Sequence, residues 1–224
     1  MNGIERLIEG KTMKTGMLVL MTILSVLVAL YGWALIWPDS PVQNAGMAHH
    51  LAERPVGMYL HFGFGPLALA IGGLQFFARL RTRLPALHRW VGRTYVLACM
   101  LSAVGGIWLA IGSDNGPVAQ LGFLLLGIAW IITTGFGYLR ARGRQFADHQ
   151  VWMMRSFSLT FGAVTLRIYL FLALGMMGLS FEVAYPAIAY ISWVPNLLFA
   201  EWLLRRQATP RVAVGAAQAT PKTS

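Results

Sequence analysis

The side chains that could do chemistry are few, and most lie inside long apolar stretches. His61, His88 and His149 are imidazoles able to ligate a metal or carry a proton. Arg155, Arg167 and Glu201 are charges set among apolar residues, where an ionisable group is costly and marks a functional site by default. Gln75, Tyr95 and Asn196 add hydrogen-bonding groups at similar positions, and Arg89 and Arg93 follow His88 closely. His49 and His50, with Met47 and Met58 near them, would offer imidazole and thioether to a soft ion such as copper. No cysteine or carboxylate constellation joins them. No phosphate-cradling glycine-rich loop, nucleophile elbow or HExxH zinc pattern occurs, and no nucleophile–base pair points to a hydrolase.

These groups must be positioned by a membrane bundle. Of 224 residues, 57% are apolar and only 12% are Asp, Glu, Lys or Arg. Soluble domains carry about 25% charged and 45–50% apolar residues, so a soluble or disordered chain is excluded. Mean hydropathy is +0.60. Six stretches approach the roughly 20 apolar residues that cross a bilayer: Met17–Trp37, Val56–Phe77, Trp90–Ile111, Pro117–Leu139, Val151–Gly175 and Val183–Leu204. The expected fold is therefore an all-α, six-span membrane domain over 17–204. A cytoplasmic segment (1–16) precedes it and a disordered cytoplasmic tail (205–224) follows. The first stretch exceeds the 7–15 residues of a signal-peptide core, and no small-x-small site precedes Trp37-Pro38-Asp39. It reads as a retained signal anchor. Cys99 is the single cysteine, which rules out an intramolecular disulfide.

Charge sets the expected orientation. Lys and Arg number 18 against 8 acids, a formal +10. One loop holds Arg79, Arg81, Arg83, Arg89 and Arg93 with no acid. Another holds Arg140, Arg142, Arg144 and Arg155 against Asp148, and the C-terminal flank holds Arg205, Arg206 and Arg211. The alternate loops hold Arg54 against Asp39, Glu53, Asp114 and Glu182. Basic loops stay in the cytoplasm, so both termini are expected there. Topology accounts for the positive charge, and a nucleic-acid partner is not needed.

The two basic loops match. Arg79-x-Arg81-x-Arg83 and His88 repeat as Arg140-x-Arg142-x-Arg144 and His149 at an offset of 61 residues. Spans two–three and four–five are expected to be copies of one helical hairpin related by an axis along the membrane normal. The repeat would put His88 and His149 at matching depth on opposite sides of the bundle. Depth sorts the polar residues into two layers. His61 and Arg167 lie ~27 Å and ~25 Å above the cytoplasmic ends of their spans and could face each other, with Glu182, Glu53 or Asp39 as acidic partners. The simpler alternatives are a neutral core histidine and an arginine reaching the interface. Gln75, His88, Arg89, Tyr95, His149, Arg155, Asn196 and Glu201 fall within roughly 12 Å of the cytoplasmic ends. Arg155 is the expected partner of Glu201. The simpler reading of this layer is an anchoring belt of Arg and Trp.

Several stretches carry a resemblance: Tyr59-Leu60-His61, the run from Leu87 to Tyr95, the run from His149 to Ser156, Thr165-Leu166-Arg167 and the run from Trp193 to Leu198. Together they resemble the bacterial membrane family catalogued as domain of unknown function 2306, over roughly Val56 to Glu201. That resemblance implies a multi-pass inner-membrane protein and no particular activity. More distantly, the arrangement of His88 and His149 is similar to cytochrome b561-like bundles, in which matched histidines clamp b haems. The fourth span departs from that pattern: it has no histidine, and the repeat counterpart of His61 is Gly122. One bis-histidine site is the most the chain could offer.

Two functions remain open at this level. In a membrane redox protein, His88 and His149 would be axial ligands of one b haem. Arg89, Arg93 and Arg155 would lie near its propionates, and quinone would be the partner. In a non-redox carrier of a small anionic or lipidic ligand, or an assembly partner in a membrane complex, the ligand-binding residues would be His61, Arg167, Tyr95, Asn196 and Glu201.

Overall fold

A computed structural model describes residues 15–37 and 52–217, with side chains to residue 206. The N-terminal segment to residue 14, the pair His49 and His50 with Met47, Asp39 and the last seven residues of the tail lie outside the described residues. Every regular element among those described is helical. The first span is α1 (Thr15–Ala34). The second is α2 (Pro55–Gly72), which tightens into a 3₁₀ turn at Gly73–Phe76. A short helix, α3 (Ala78–Arg83), leads to the third span, α4 (Pro85–Ile111), and the fourth, α5 (Gly116–Arg142). The fifth is assembled from α6 (Phe146–Thr160), α7 (Gly162–Leu170) and a π-helical stretch (Phe171–Met176). The sixth combines α8 (Phe181–Ile191) and α9 (Val194–Ala217). All six units are long and apolar enough to cross a membrane. Helix is the form expected there, because hydrocarbon leaves no partner for an unpaired backbone group.

Helices begin earlier than the apolar stretches do. The third span starts at Pro85 rather than Trp90, and the fifth at Phe146 rather than Val151. A hydropathy count stops at the first charges, whereas backbone hydrogen bonding does not, and arginine stems can run along a helix to water. His88, Arg89 and His149 therefore stand on helices rather than in loops. The repeat extends to the element starts: Pro55 and Gly116 differ by 61, as do Pro85 and Phe146.

Packing runs opposite to that of a soluble protein. Small and hydroxyl residues are buried, among them Ala68, Ala103, Ser102, Ser156 and Thr134, while Leu20, Leu97, Ile111 and Leu198 face outward. Lipid is as apolar as leucine, so large side chains gain nothing by turning inward, and small ones let helices close up. Gly105 shows this best. A methyl there would lie 2.7 Å from both the Gly57 carbonyl oxygen and the His61 amide nitrogen, so α4 meets α2 backbone to backbone. Pro66 stays within α2 and packs its ring on Gly32 of α1.

Spans five and six are interrupted where they meet. The chain turns at Phe161 and again at Ser192–Trp193, the second just before Pro195, which has no N–H to carry the helical ladder across from the span residues before it. Gly162 packs against Trp193. The carbonyls freed at these turns are met by side chains. The Thr165 hydroxyl donates to the Ser192 carbonyl. The Asn196 amide donates to the same carbonyl at 3.1 Å and to Thr165 Oγ1 at 3.1 Å.

Candidate functional site

The expected outer layer exists in part. His61 Nδ1 lies 3.0 Å from the Ser102 carbonyl oxygen, a spacing that puts the ring proton on Nδ1. Ser102 Oγ returns a bond to the His61 carbonyl at 3.1 Å. The ring lies against Gly106. His61 is thus held by α4 as a packed helix-to-helix tie. Arg167 is within its electrostatic range, with no hydrogen bond between them.

Arg167 is held differently. Its guanidinium has one long hydrogen bond, 3.4 Å, to the Ala163 carbonyl of its own helix. It stands 5.9 Å from the centre of the Tyr31 ring, with Tyr185 in electrostatic reach. The acids expected beside it are elsewhere: Glu53 pairs with Arg54 at 3.4 Å, and Glu182 lines a cleft of about 450 Å³ with Asp114, Asn115, Phe181, Tyr185 and Pro186. No ion pair to Arg167 exists among the described residues. Tyr185 belongs both to the cleft and to the surroundings of Arg167. A five-donor cation thus stands half-buried in a span, beside a cleft, with most of its donors unused.

The expected inner layer divides into separate groups. Arg155 and Glu201 form a two-pronged ion pair, Nε to Oε1 at 2.5 Å and Nη2 to Oε2 at 3.1 Å, and the guanidinium covers the Trp152 ring at 4.5 Å. Arg93 stands over Trp90 at 5.4 Å. Arginine on tryptophan at a helix end is an anchoring arrangement. Asn196 belongs to the junction of spans five and six rather than to this layer. Tyr95 lies deeper, 1% exposed. Its hydroxyl shares hydrogen bonds with Ser156 Oγ at 2.9 Å and Thr160 Oγ1 at 2.8 Å. Thr134 reaches the same Ser156 at 2.7 Å, and Trp130 Nε1 donates to Thr160 at 3.0 Å. This network joins α4, α5 and α6, and Ser156, Thr134, Thr160 and Trp130 are the residues that sequence reasoning missed. One signal was available: Ser156 is the repeat counterpart of Tyr95, 61 positions on.

His88 and His149 are within electrostatic reach of each other, with Arg81 and Arg89 also close to His88. His149 Nδ1 lies 2.8 Å from the Gly137 carbonyl oxygen, which leaves Nε2 as its free nitrogen. His88 Nδ1 is buried with no partner. Two imidazoles meet the ligand count of a b haem. Seven residues deeper, however, the same two helix faces touch through Tyr95 and Ser156. Gly72 packs under Tyr95 and Phe157 so tightly that a methyl there would come within 2.8 Å of both rings. A haem held by the pair would therefore lie at the arginine-rich end of the bundle rather than within its core. Among the described residues no three His, Cys, Asp or Glu side chains group as metal ligands.

Six apolar helical spans, an inverted packing pattern and polar ties between helices define a multi-pass membrane protein. The model of the family described as predicted membrane protein, DUF2306, matches residues 58–204, and the chain belongs to that family. Comparison with curated proteins and with solved structures finds no match.

Proposed function

We propose that this chain is a bacterial inner-membrane protein, its arginine-rich ends in the cytoplasm, that binds or carries a small or lipidic ligand through an anionic group. Arg167 carries the reading. A guanidinium inside a span, with one weak bond and no acid among the described residues, lacks the counter-charge that would offset its removal from water. A carboxylate would supply that charge and bond the planar fork in two-pronged fashion. Tyr31 and Tyr185 flank the position, at the end opposite the arginine loops. The broken fifth and sixth spans suit a carrier, because interrupted helices beside a site can shift without unwinding a whole span.

Oleate and its uncharged counterpart oleyl alcohol test the reading on detergent-purified full chain. Oleate retention that falls at least tenfold in Arg167→Met, partly survives in Arg167→Lys and is absent for the alcohol supports it. Equal retention of acid and alcohol, or by wild type and Arg167→Met, refutes it. The redox alternative has one observation in its favour, the Gly137 carbonyl that orients His149 as backbone carbonyls orient the rings of metal-bound histidines. A b-type reduced-minus-oxidised spectrum lost in His149→Ala would replace the carrier reading with that one.

A further inference from the structure

The matched arginine loops differ in one respect that the sequence conceals. In the second, two of the three arginines are partnered: Arg140 donates to Gln145 at 2.6 Å and lies 3.8 Å from Asp148, and Arg142 reaches the Tyr138 hydroxyl at 3.2 Å. In the first, neither the Arg81 nor the Arg89 guanidinium has a hydrogen bond or ion pair among the described residues. Two buried polar atoms without partners lie at the same end. Gln75 Nε2 and His88 Nδ1 are both buried and unbonded, each in a residue that is itself partly exposed. Both lie along one face of α4. The Gln75 carboxamide oxygen lies over Gly92, 3.4 Å from where a Cβ would be, and His88 is one turn nearer the loop on the same face of α4. Arg81 and Arg89 are within electrostatic reach of that imidazole.

We propose that Gln75, His88, Arg81 and Arg89 form a phosphate-binding notch at the arginine-rich end, taking the phosphodiester of an anionic phospholipid headgroup. The donor set dictates the class. The carboxamide NH₂ and an imidazole N–H donate, two guanidiniums add donors and positive charge, and no carboxylate competes. A buried donor left unmade costs about 1–3 kcal/mol, so a ligand that accepts from both atoms gains what the apo chain forgoes. The depth fits a lipid: the 3₁₀ turn at Gly73–Phe76 and the N-terminal turns of α4 lie at the membrane edge, where basic pockets between spans meet headgroups. This site is separate from Arg167, at the other end of the bundle.

The test is native mass spectrometry of the delipidated full chain with phosphatidylglycerol, phosphatidylcholine or inorganic phosphate. One phosphatidylglycerol per chain is expected to be retained at least tenfold over phosphatidylcholine. Gln75→Leu and the exposed Arg89→Gln should each cut that retention fivefold or more. Arg142→Gln, which removes the same charge from the matched loop, should change it less than twofold, and this separates a built site from general attraction to a basic surface. Displacement of the lipid by millimolar inorganic phosphate would keep the site and assign it to soluble phosphate. Equal retention of the two lipids, or equal losses in Arg89→Gln and Arg142→Gln, would overturn the proposal. Arg89→Gln is on the surface and keeps the result interpretable if Gln75→Leu misfolds. Loss of oleate binding at Arg167 would leave the notch untouched, so the two readings fail separately.

Discussion

Replacing Tyr95 with phenylalanine removes one oxygen from the centre of the bundle and nothing else. The ring stays, so no cavity opens against Gly72 and Phe157, and the loss is two hydrogen bonds, to Ser156 and Thr160. Interhelical hydrogen bonds in membrane proteins average about 0.6 kcal/mol and reach about 1.7 kcal/mol, so two bonds set a ceiling of about 3.4 kcal/mol. The expected loss is smaller. Ser156 keeps Thr134 at 2.7 Å, and Thr160 keeps the Trp130 indole at 3.0 Å and its own bond to the Ser156 carbonyl at 3.0 Å. Neither hydroxyl is orphaned, and Tyr95→Phe should cost about 1–1.5 kcal/mol. Reversible unfolding in mixed micelles by rising SDS fraction, followed by tryptophan fluorescence, measures it, with Trp130 inside the network. Paired with Ser156→Ala in a double-mutant cycle, a coupling of about 0.5–1 kcal/mol is expected for residues in one network. A Tyr95→Phe loss under about 0.3 kcal/mol, or strictly additive variants, would show that the hydroxyl network does not hold α4, α5 and α6 together.

Three further outcomes follow from the packing. Gly105→Ala drives a methyl into backbone atoms of α2 that cannot rotate away and should cost about 1–3 kcal/mol, while Gly63→Ala, with nothing within 4 Å, should be near neutral in the same titration. Glu201→Gln leaves Arg155 without its carboxylate. With side chains 24% and 30% exposed, the cost should be about 1–2 kcal/mol, below that of breaking a fully buried pair, and Arg155→Met combined with Glu201→Leu should recover part of it. Cys99 is buried, so an impermeant maleimide should leave intact cells unlabelled. Asn115→Cys should label from outside and Arg142→Cys only after lysis, and the reverse pattern would invert the orientation drawn from the arginine loops.

Composition and periodicity were enough for six spans, helix throughout and a repeat at 61 residues, because a bilayer imposes length and helical form on any segment that crosses it. The Arg155–Glu201 pair was also legible, since an acid inside a span at the depth of an arginine has little alternative to pairing. Partnership among neutral groups was not. Ser156, Thr134, Thr160 and Trp130 are unremarkable one by one, and only helix rotation about Tyr95 makes them a network. Asn196 shares its depth with the charged layer but serves the break at Ser192. The sequence by itself determined how many times the chain crosses and which end carries the arginines, both properties of single segments. Tertiary structure alone decided that Arg140 and Arg142 find partners near their own loop, while the Arg81 and Arg89 guanidiniums have none among the described residues. That outcome depends on atoms brought together from Gln75, His88 and the loop, and hydrogen bonding acts at a few ångströms that spacing along a chain does not fix.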